Sequence, residues 1–500
     1  MGRDGNVELD TVVTLRPPFA LLSGDARGSL GGAVLIFRQI THDDLGCASY
    51  LVGDEKAGVA AVVDPRFETD VYLELADYFG VRIEHILETH NHADHVSGHG
   101  RLAAATGATI HVHRDAAPAY PHEPFDDGWQ LQLGTLTVRA LHTPGHRPEH
   151  TAFALIDTAR SDAPWAVLTG DTLFVNDVAR PDLVVERSEG ARGIFRSLHG
   201  KLLPLPGECE IWPGHLGGSM CGGAGIDMKI SSTVGFEKAN NPTLSILDED
   251  DFVDAALARL GPQPPNFRAI VELNTGPLLT GDVAVAALSP LQVDDQRAAG
   301  ALVVDLRSDR EFDDAHVPGA VWISVARPGF GTKIAWLRRP GQPVVFVGRD
   351  DDDGQRAARL AAAVGLRTTA GFLHGGMTSW EQEQRPVERI ERLPAAELPA
   401  RVDADSALQI LDVRELHEWE DGHLPGSACV PWHDLVDVPE GVDRERAVAV
   451  ICATGPRAAT AAGLLKRHGF GHVIHVAEGG VDTWAGLGLP LERAVTADAS

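Results

Sequence analysis

Thr89-His90-Asn91-His92-Ala93-Asp94-His95 places three imidazoles and a carboxylate within seven residues, a poor way to build an apolar core and a good way to hold a metal ion. The run before it, Val81-Arg82-Ile83-Glu84-His85-Ile86-Leu87, alternates apolar and polar side chains and reads as a half-buried strand that delivers the ligands at its end. Buried imidazoles clustered without a metal repel one another or go unsatisfied. Neutral imidazole and carboxylate together suit zinc or iron.

Three later sites repeat the arrangement of an apolar run followed by a ligand-bearing turn. Leu136 to Leu141 runs into His142-Thr143-Pro144-Gly145-His146, Trp165 to Leu168 into Thr169-Gly170-Asp171-Thr172, and Cys209 to Trp212 into Pro213-Gly214-His215. Ligands far apart in sequence converge when the strands that carry them end at one edge of a layered sheet, and Gly and Pro let the backbone turn sharply there. Upstream, strand-like runs begin at Val34, Ser49 and Val59, and helices are expected from about Thr69 to Phe79 and from about Val96 to Ala105. His150 reads as a hydrogen-bonding neighbour of the ligands rather than as one of them. Cys47 and Cys221 read as structural, with Cys221, close to His215, the better placed to border a substrate.

From about Ala33 to Thr280 these motifs resemble the metallo-β-lactamase superfamily, through the H-x-H-x-D-H signature, the first P-G-H turn, the G-D-T-L turn and the late P-G-H in that order. The resemblance implies an αββα sandwich over residues 33–280 with a metal site at one edge of its two sheets. By motif, His90, His92 and His146 face one metal position, Asp94, His95 and His215 another, and Asp171 reaches both. Two chemistries follow. In the first, which also resembles the hydroxyacylglutathione hydrolases, two zinc ions share Asp171 and generate hydroxide for thioester hydrolysis. In the second, resembling the persulfide dioxygenases, one iron(II) per chain sits on His90, His146 and Asp171, with His92, Asp94, His95 and His215 around it. That resemblance extends to Arg180 in Val178-Ala179-Arg180-Pro181-Asp182, which it implies clamps a substrate carboxylate.

Five hundred residues exceed one core and, at about 150 per domain, suggest about three. A net charge of -28 disfavours nucleic acid and anionic lipid as partners, and no apolar run reaches the ~18 residues of a membrane span. Residues 1–32 read as a flexible extension without the basic segment and apolar core of a secretion signal. The five scattered cysteines fit reduced thiols in a cytoplasm. An acidic helix around Leu247 to Leu260 and a proline-rich strap from Gly261 to Pro265 read as the close of the metal domain.

Beyond Pro290 the chain repeats itself. Asp305-Leu306-Arg307 with His316-Val317-Pro318-Gly319 matches Asp412-Val413-Arg414 with His423-Leu424-Pro425-Gly426, and the aligned Asp and His pairs are each 107 residues apart. Both copies end alike, at Gly375-Gly376 and Trp380 and at Gly479-Gly480 and Trp484, each pair 104 residues apart. Strand runs alternating with alanine-rich helices argue for two α/β domains with parallel sheets, over 290–390 and 398–496. Both resemble rhodanese domains. In the second, Cys452-Ala453-Thr454-Gly455-Pro456-Arg457 follows the strand run Val448 to Ile451, and a thiol cradled there by backbone N–H groups, Arg457 and a helix N-terminus is suited to carry a persulfide anion. Cys452 and Arg457 are the catalytic candidates, and Gly455 shapes the substrate cradle. The first copy has Gly348, Arg349 and Asp350 to Asp353 at the matching place and no thiol. It reads as catalytically silent.

A domain that carries sulfane sulfur makes sense beside an enzyme that consumes or forms persulfides. The expected activity is therefore a persulfide dioxygenase, oxidising a low-molecular-weight thiol persulfide such as glutathione persulfide with O2 to sulfite and thiol, coupled to sulfur transfer between Cys452 and thiosulfate or sulfite. Zinc thioester hydrolysis is the alternative, and a sulfurtransferase with a regulatory metal domain the third reading. The resembled family also often forms homodimers, although none of these motifs marks an interface.

Overall fold

The computed structural model describes residues 12–14, 35–42, 44–183, 186–217, 221–222 and 225–493. The described residues fall into two compact units, one lying within residues 1–282 together with 363–365, the other within 283–362 and 366–493.

The first unit holds two sheets. The seven-stranded sheet runs in chain order through β1 (Val12–Thr14), β2 (Leu35–His42), β3 (Cys47–Asp54), β4 (Val59–Val63), β5 (Arg82–Leu87), β6 (Thr109–His113) and β7 (Glu123–Phe125). The six-stranded sheet comprises β8 (Gln130–Leu133), β9 (Leu136–His142), β10 (Thr151–Asp157), β11 (Ala166–Gly170), β12 (Glu210–Pro213) and β13 (Ser232–Thr233), ordered 13-12-11-10-9-8. Period-two alternation decides which side chains meet between them. Phe37, Tyr50 and Val63 of one sheet pack against Phe153, Leu168 and Trp212 of the other, and the Phe37 and Trp212 rings lie 4.8 Å apart edge to face. Their neighbours Ile36, Leu51 and Val62 point the other way, into a layer with Tyr72, Ala76 and Leu102 from helices Asp70–Phe79 and His99–Thr106. On the far side, Ala152, Val167 and Ile211 meet Ile194 and Phe252 from helices Arg187–Ser197 and Glu249–Ala258. The result is the αββα sandwich. Tyr50 crosses the sandwich to donate its hydroxyl hydrogen to the Pro213 carbonyl at 2.6 Å, one turn from His215.

The structure departs from expectation in one place. The second helix begins at His99, three residues late, because Gly98 packs on the Pro65–Arg66 backbone, where a Cβ would come within 2.0 Å of the Arg66 carbonyl oxygen. The flexible extension expected over residues 1–32 falls outside the described residues except for Val12–Thr14, which pair antiparallel with β2. Among the described residues no helix is long and apolar enough to cross a membrane.

The second unit is the same fold built twice. β14 (Ala287–Leu288), β15 (Leu302–Asp305), β16 (Val321–Trp322), β17 (Val344–Val347) and β18 (Thr369–Leu373) form a parallel sheet ordered 14-18-17-15-16. β19 (Glu391–Pro394), β20 (Gln409–Asp412), β21 (Ala428–Cys429), β22 (Val448–Ile451) and β23 (Val473–Ala477) repeat it as 19-23-22-20-21. The repeated letters of the sequence have a structural cause. Asp305 pairs with Arg307 through two bonds of 3.0 and 2.7 Å, and Arg307 also caps the Ala315 carbonyl; Asp412, Arg414 and the Gly422 carbonyl do the same. His316 stacks on Phe312 and His423 on Trp419, each donating Nδ1–H at 2.7 Å to the carbonyl four residues back.

Candidate functional site

Three side chains converge where β5, β9 and β11 end. His90 Nε2 and His146 Nε2 lie 3.9 and 3.5 Å from Asp171 Oδ2, and the ligand atoms of all three fall within 4.8 Å of one another. All three atoms are buried without a hydrogen-bond partner. Buried polar atoms are normally satisfied, so three orphans aimed at one point fit a cation between them.

Their remaining atoms are fixed from behind. His90 Nδ1 lies 2.9 Å from the Thr89 hydroxyl, His146 Nδ1 donates to the Arg180 carbonyl at 2.9 Å, and Asp171 Oδ1 is 2.8 Å from His215 Nδ1. His150 takes the Asp171 backbone N–H on Nε2 at 2.8 Å, while its Nδ1 meets the hydroxyls of Thr143 and Thr172 at 2.9 Å each. Burial holds His90 and His146 below the usual histidine range, with the neighbouring His92 adding to the effect at His90. Burial pushes Asp171 up, but His215 and His146 outweigh it and bring the carboxyl down to about 2. Neutral imidazoles and an ionised carboxylate are the forms a metal ion takes.

The other candidates sit beside this triad. His215 is wedged between two carboxylates, Nδ1 on Asp171 and Nε2 on Asp94, each at 2.8 Å; burial lowers it, yet Asp171 and Asp94 carry it up to about 10. His95 Nδ1 is 3.2 Å from Asp94 Oδ1. His92 Nε2 lies 3.2 Å from Asp64 and 3.3 Å from Glu88; against burial, Asp64 and Glu88 raise its pKa well above the usual value. His92, Asp94 and His95 also bring ligand atoms within 4.8 Å of one another, as do Asp94 and Asp171 with His215 and the buried thiols of Cys47 and Cys221 in two further groups. The donor set of this buried cluster is therefore sufficient for two ions. Burial raises both thiols.

Arg180 is 5% exposed, and its guanidinium grips Asp182 at 2.7 and 3.0 Å and the Gly261 carbonyl at 3.2 Å. Clamping a substrate carboxylate requires Asp182 to yield; meanwhile the Arg180 main chain orients His146. Sequence reasoning missed Asn274, on helix Phe267–Thr275, which donates to the His92 and His95 carbonyls at 2.9 and 2.8 Å and accepts from Ser97 N–H. It also missed Asp64 and Glu88, which face His92. No local motif marks them.

Two glycines make the approach possible. At Gly214 a Cβ would lie 2.6 Å from Asp171 Oδ1. Gly170 has φ +49°, and a Cβ there would meet His150 Nε2 at 2.6 Å. Gly170→Ala is expected to lower stability by about 2–4 kcal/mol, from the left-handed strain plus displacement of a packed hydrogen-bonded ring, and to lower metal content with it. Denaturant titration and metal analysis of the variant check both.

In the second unit, Cys452 directly follows β22 and is 1% exposed. Gly455 N–H points at its Sγ from 3.1 Å, Gly455 has φ +108°, and helix Pro456–Arg467 begins at the next residue, with Pro at its first position. Arg457 does not point alone at the thiol. It is bound bidentately by Glu418 at 2.5 and 2.8 Å, which keeps its side chain placed but shares its charge. In the first repeat Asp353 binds the Arg349 side chain and N–H, while Asp351 takes His374 at 2.7 Å, so these carboxylates tie down their own loop.

The metallo-beta-lactamase superfamily model matches residues 42–215, and the rhodanese-like domain model matches 289–383 and 394–487. The mitochondrial persulfide dioxygenase ETHE1 of Homo sapiens is 30% identical over 186 residues, 37% of this chain and 69% of the human protein. The chain belongs to the metallo-β-lactamase superfamily. Within that superfamily it is also similar to a hydroxyacylglutathione hydrolase of Methylococcus capsulatus, 36% identical over 33% of this chain and 60% of the relative. Among solved structures, a metallo-beta-lactamase from Staphylococcus aureus covers 68% of this chain and 99% of its own at 28% identity and a TM-score of 0.62. This chain thus joins a metallo-β-lactamase-fold domain to two rhodanese-like domains. It is an enzyme-like assembly with a buried metal-binding cluster in the first part.

Proposed function

We propose that the metal domain is a persulfide dioxygenase using one iron(II) on His90, His146 and Asp171, and that the second rhodanese-like domain is a thiosulfate sulfurtransferase acting through Cys452. The observation that carries the one-ion reading is His215. Its Nδ1 and Nε2 each lie 2.8 Å from a carboxylate oxygen, of Asp171 and Asp94, and its hold on Asp171 Oδ1 turns Oδ2 toward the triad. Two imidazoles and one carboxylate on one side of an ion leave positions open for a persulfide sulfur and O2, which is the chemistry iron(II) supplies when bound.

The chain's own residues do the rest. Thr89 and the Arg180 carbonyl hold the two imidazoles in the orientation that aims Nε2 inward, and His150 fixes the backbone of Asp171. The burial of all three ligand side chains keeps bulk water from competing for the oxidation. Overall, a thiol persulfide, O2 and water give the thiol and sulfite with release of protons. Fusion to a loop that carries sulfane sulfur, and similarity to the human persulfide dioxygenase over most of that protein, support this substrate class.

A second reading, zinc-dependent thioester hydrolysis, is favoured by the His92, Asp94 and His95 group and by the hydrolase relative. Metal-free protein reloaded with iron(II) or with zinc, then offered glutathione persulfide and S-lactoylglutathione separately, tests the proposal. Sulfite and thiol in equal amounts from the iron form alone are expected. Thioester cleavage by a form holding two zinc ions would overturn it.

A further inference from the structure

His475 lies in the middle of β23, fully buried between two groups that belong to different repeats. Its Nδ1 is 2.8 Å from Asp313 Oδ2, on helix Asp309–Asp314 of the first repeat, and its Nε2 is 3.1 Å from the Gly455 carbonyl in the Cys452 loop. Asp313, only 2% exposed, is held in turn by Arg392 of β19, which binds Asp313 at 2.8 Å and Asp309 at 2.9 Å. The Gly455 carbonyl also accepts the Ala459 N–H, the first turn of helix Pro456–Arg467, and the Gly455 N–H faces Cys452 Sγ. One side chain therefore anchors the residue that both begins the helix and cradles the thiol.

The two repeats differ at this position. With the 104-residue offset of their closing Gly-Gly and Trp positions, His475 corresponds to Gly371, which has φ +148° and no room for a Cβ beside the Ala286 carbonyl. The repeat that lacks the thiol also lacks the histidine. A fully buried imidazole in an otherwise apolar strand is costly unless its contacts are made, and here both are.

We infer that His475 is a positioning residue for the Cys452 loop and that Asp313 holds it in place, so that the thiol-free repeat contributes a residue to the sulfur-transfer site of the other. The inference rests on the reading of Cys452 as the sulfur-carrying nucleophile. In that reaction the Cys452 thiolate takes the sulfane sulfur of thiosulfate, sulfite leaves with the S–S electron pair, and an acceptor such as cyanide then takes the sulfur and restores the thiolate. The loop must hold its N–H groups on sulfur throughout, and Gly455 is the member that His475 fixes.

The test uses the full chain carrying His475→Ala, His475→Gln or Asp313→Asn, with two readouts. Thiosulfate and cyanide turnover is expected to fall about 10- to 100-fold in kcat with KM little changed for His475→Ala and less for Asp313→Asn, and His475→Gln, which keeps a donor, is expected to recover part of it. The iodoacetamide reaction rate at Cys452, followed by peptide mass spectrometry against pH, is expected to shift its midpoint upward in the same order. Wild-type turnover and a wild-type alkylation profile in His475→Ala and Asp313→Asn would overturn the inference. If His475→Ala loses its cooperative unfolding transition, Asp313→Asn decides by the same two outcomes. Should the wild-type protein fail to turn over thiosulfate, the sulfurtransferase reading falls and the alkylation profile decides the positioning alone: displaced, it supports the role; unchanged, it removes it.

Discussion

Asp171→Ala is expected to leave less than about one-tenth of an ion per chain and to cut persulfide oxidation by about 10³-fold or more, ~4 kcal/mol in the barrier. The substitution removes the only carboxylate oxygen among the described residues that faces His90 and His146 without another partner. It also strips one of the two carboxylates from the buried His215, whose protonated form depends on both. The comparison that gives the result meaning is His215→Gln. If one ion sits on the triad, this variant keeps near one ion per chain and loses about 10- to 100-fold in activity, because His215 acts through Asp171. If two ions share Asp171, it loses one of them. Metal analysis of the two variants side by side separates these cases.

Cys452→Ser is expected to abolish thiosulfate sulfurtransfer, by about 10³-fold or more, while oxidation of a preformed persulfide stays within about twofold of the unsubstituted chain. Serine keeps the volume at a site that is 1% exposed and keeps an acceptor for the Gly455 N–H, so the loop should survive while the sulfur chemistry does not. Loss of both activities would instead favour a sulfurtransferase whose metal domain serves only to bind or regulate.

The residues of the candidate metal cluster were legible in the sequence because each stands in a short motif at the end of an apolar strand, so strand order and turn chemistry sufficed to gather them. The duplication was legible for a similar reason: the buried Asp305–Arg307 and Asp412–Arg414 pairs are two residues apart in sequence and bond within one turn. Partners that meet only through tertiary packing left no such trace. Glu418 clamps Arg457 across 39 residues, and Asn274 reaches His92 across 182. Asp64, which holds both Thr89 and His92, stands in an ordinary strand-to-turn Asp-Pro pair. His475 did carry a signal, a lone imidazole in the apolar run Val473–Ala477, but only the folded repeats reveal Asp313 opposite it. The double hydrogen bonding of His215 to Asp171 and Asp94 was likewise illegible, because it depends on tertiary packing rather than on the presence of the residue.

The most direct measurement is oxygen uptake by anaerobically purified, iron-loaded protein given glutathione persulfide, with metal content determined on the same sample. One O2 consumed per persulfide, at near one iron per chain, is the expected result. No uptake by that sample, with two zinc ions bound and an acyl-glutathione thioester cleaved by the zinc form, would contradict the assignment of a one-iron dioxygenase.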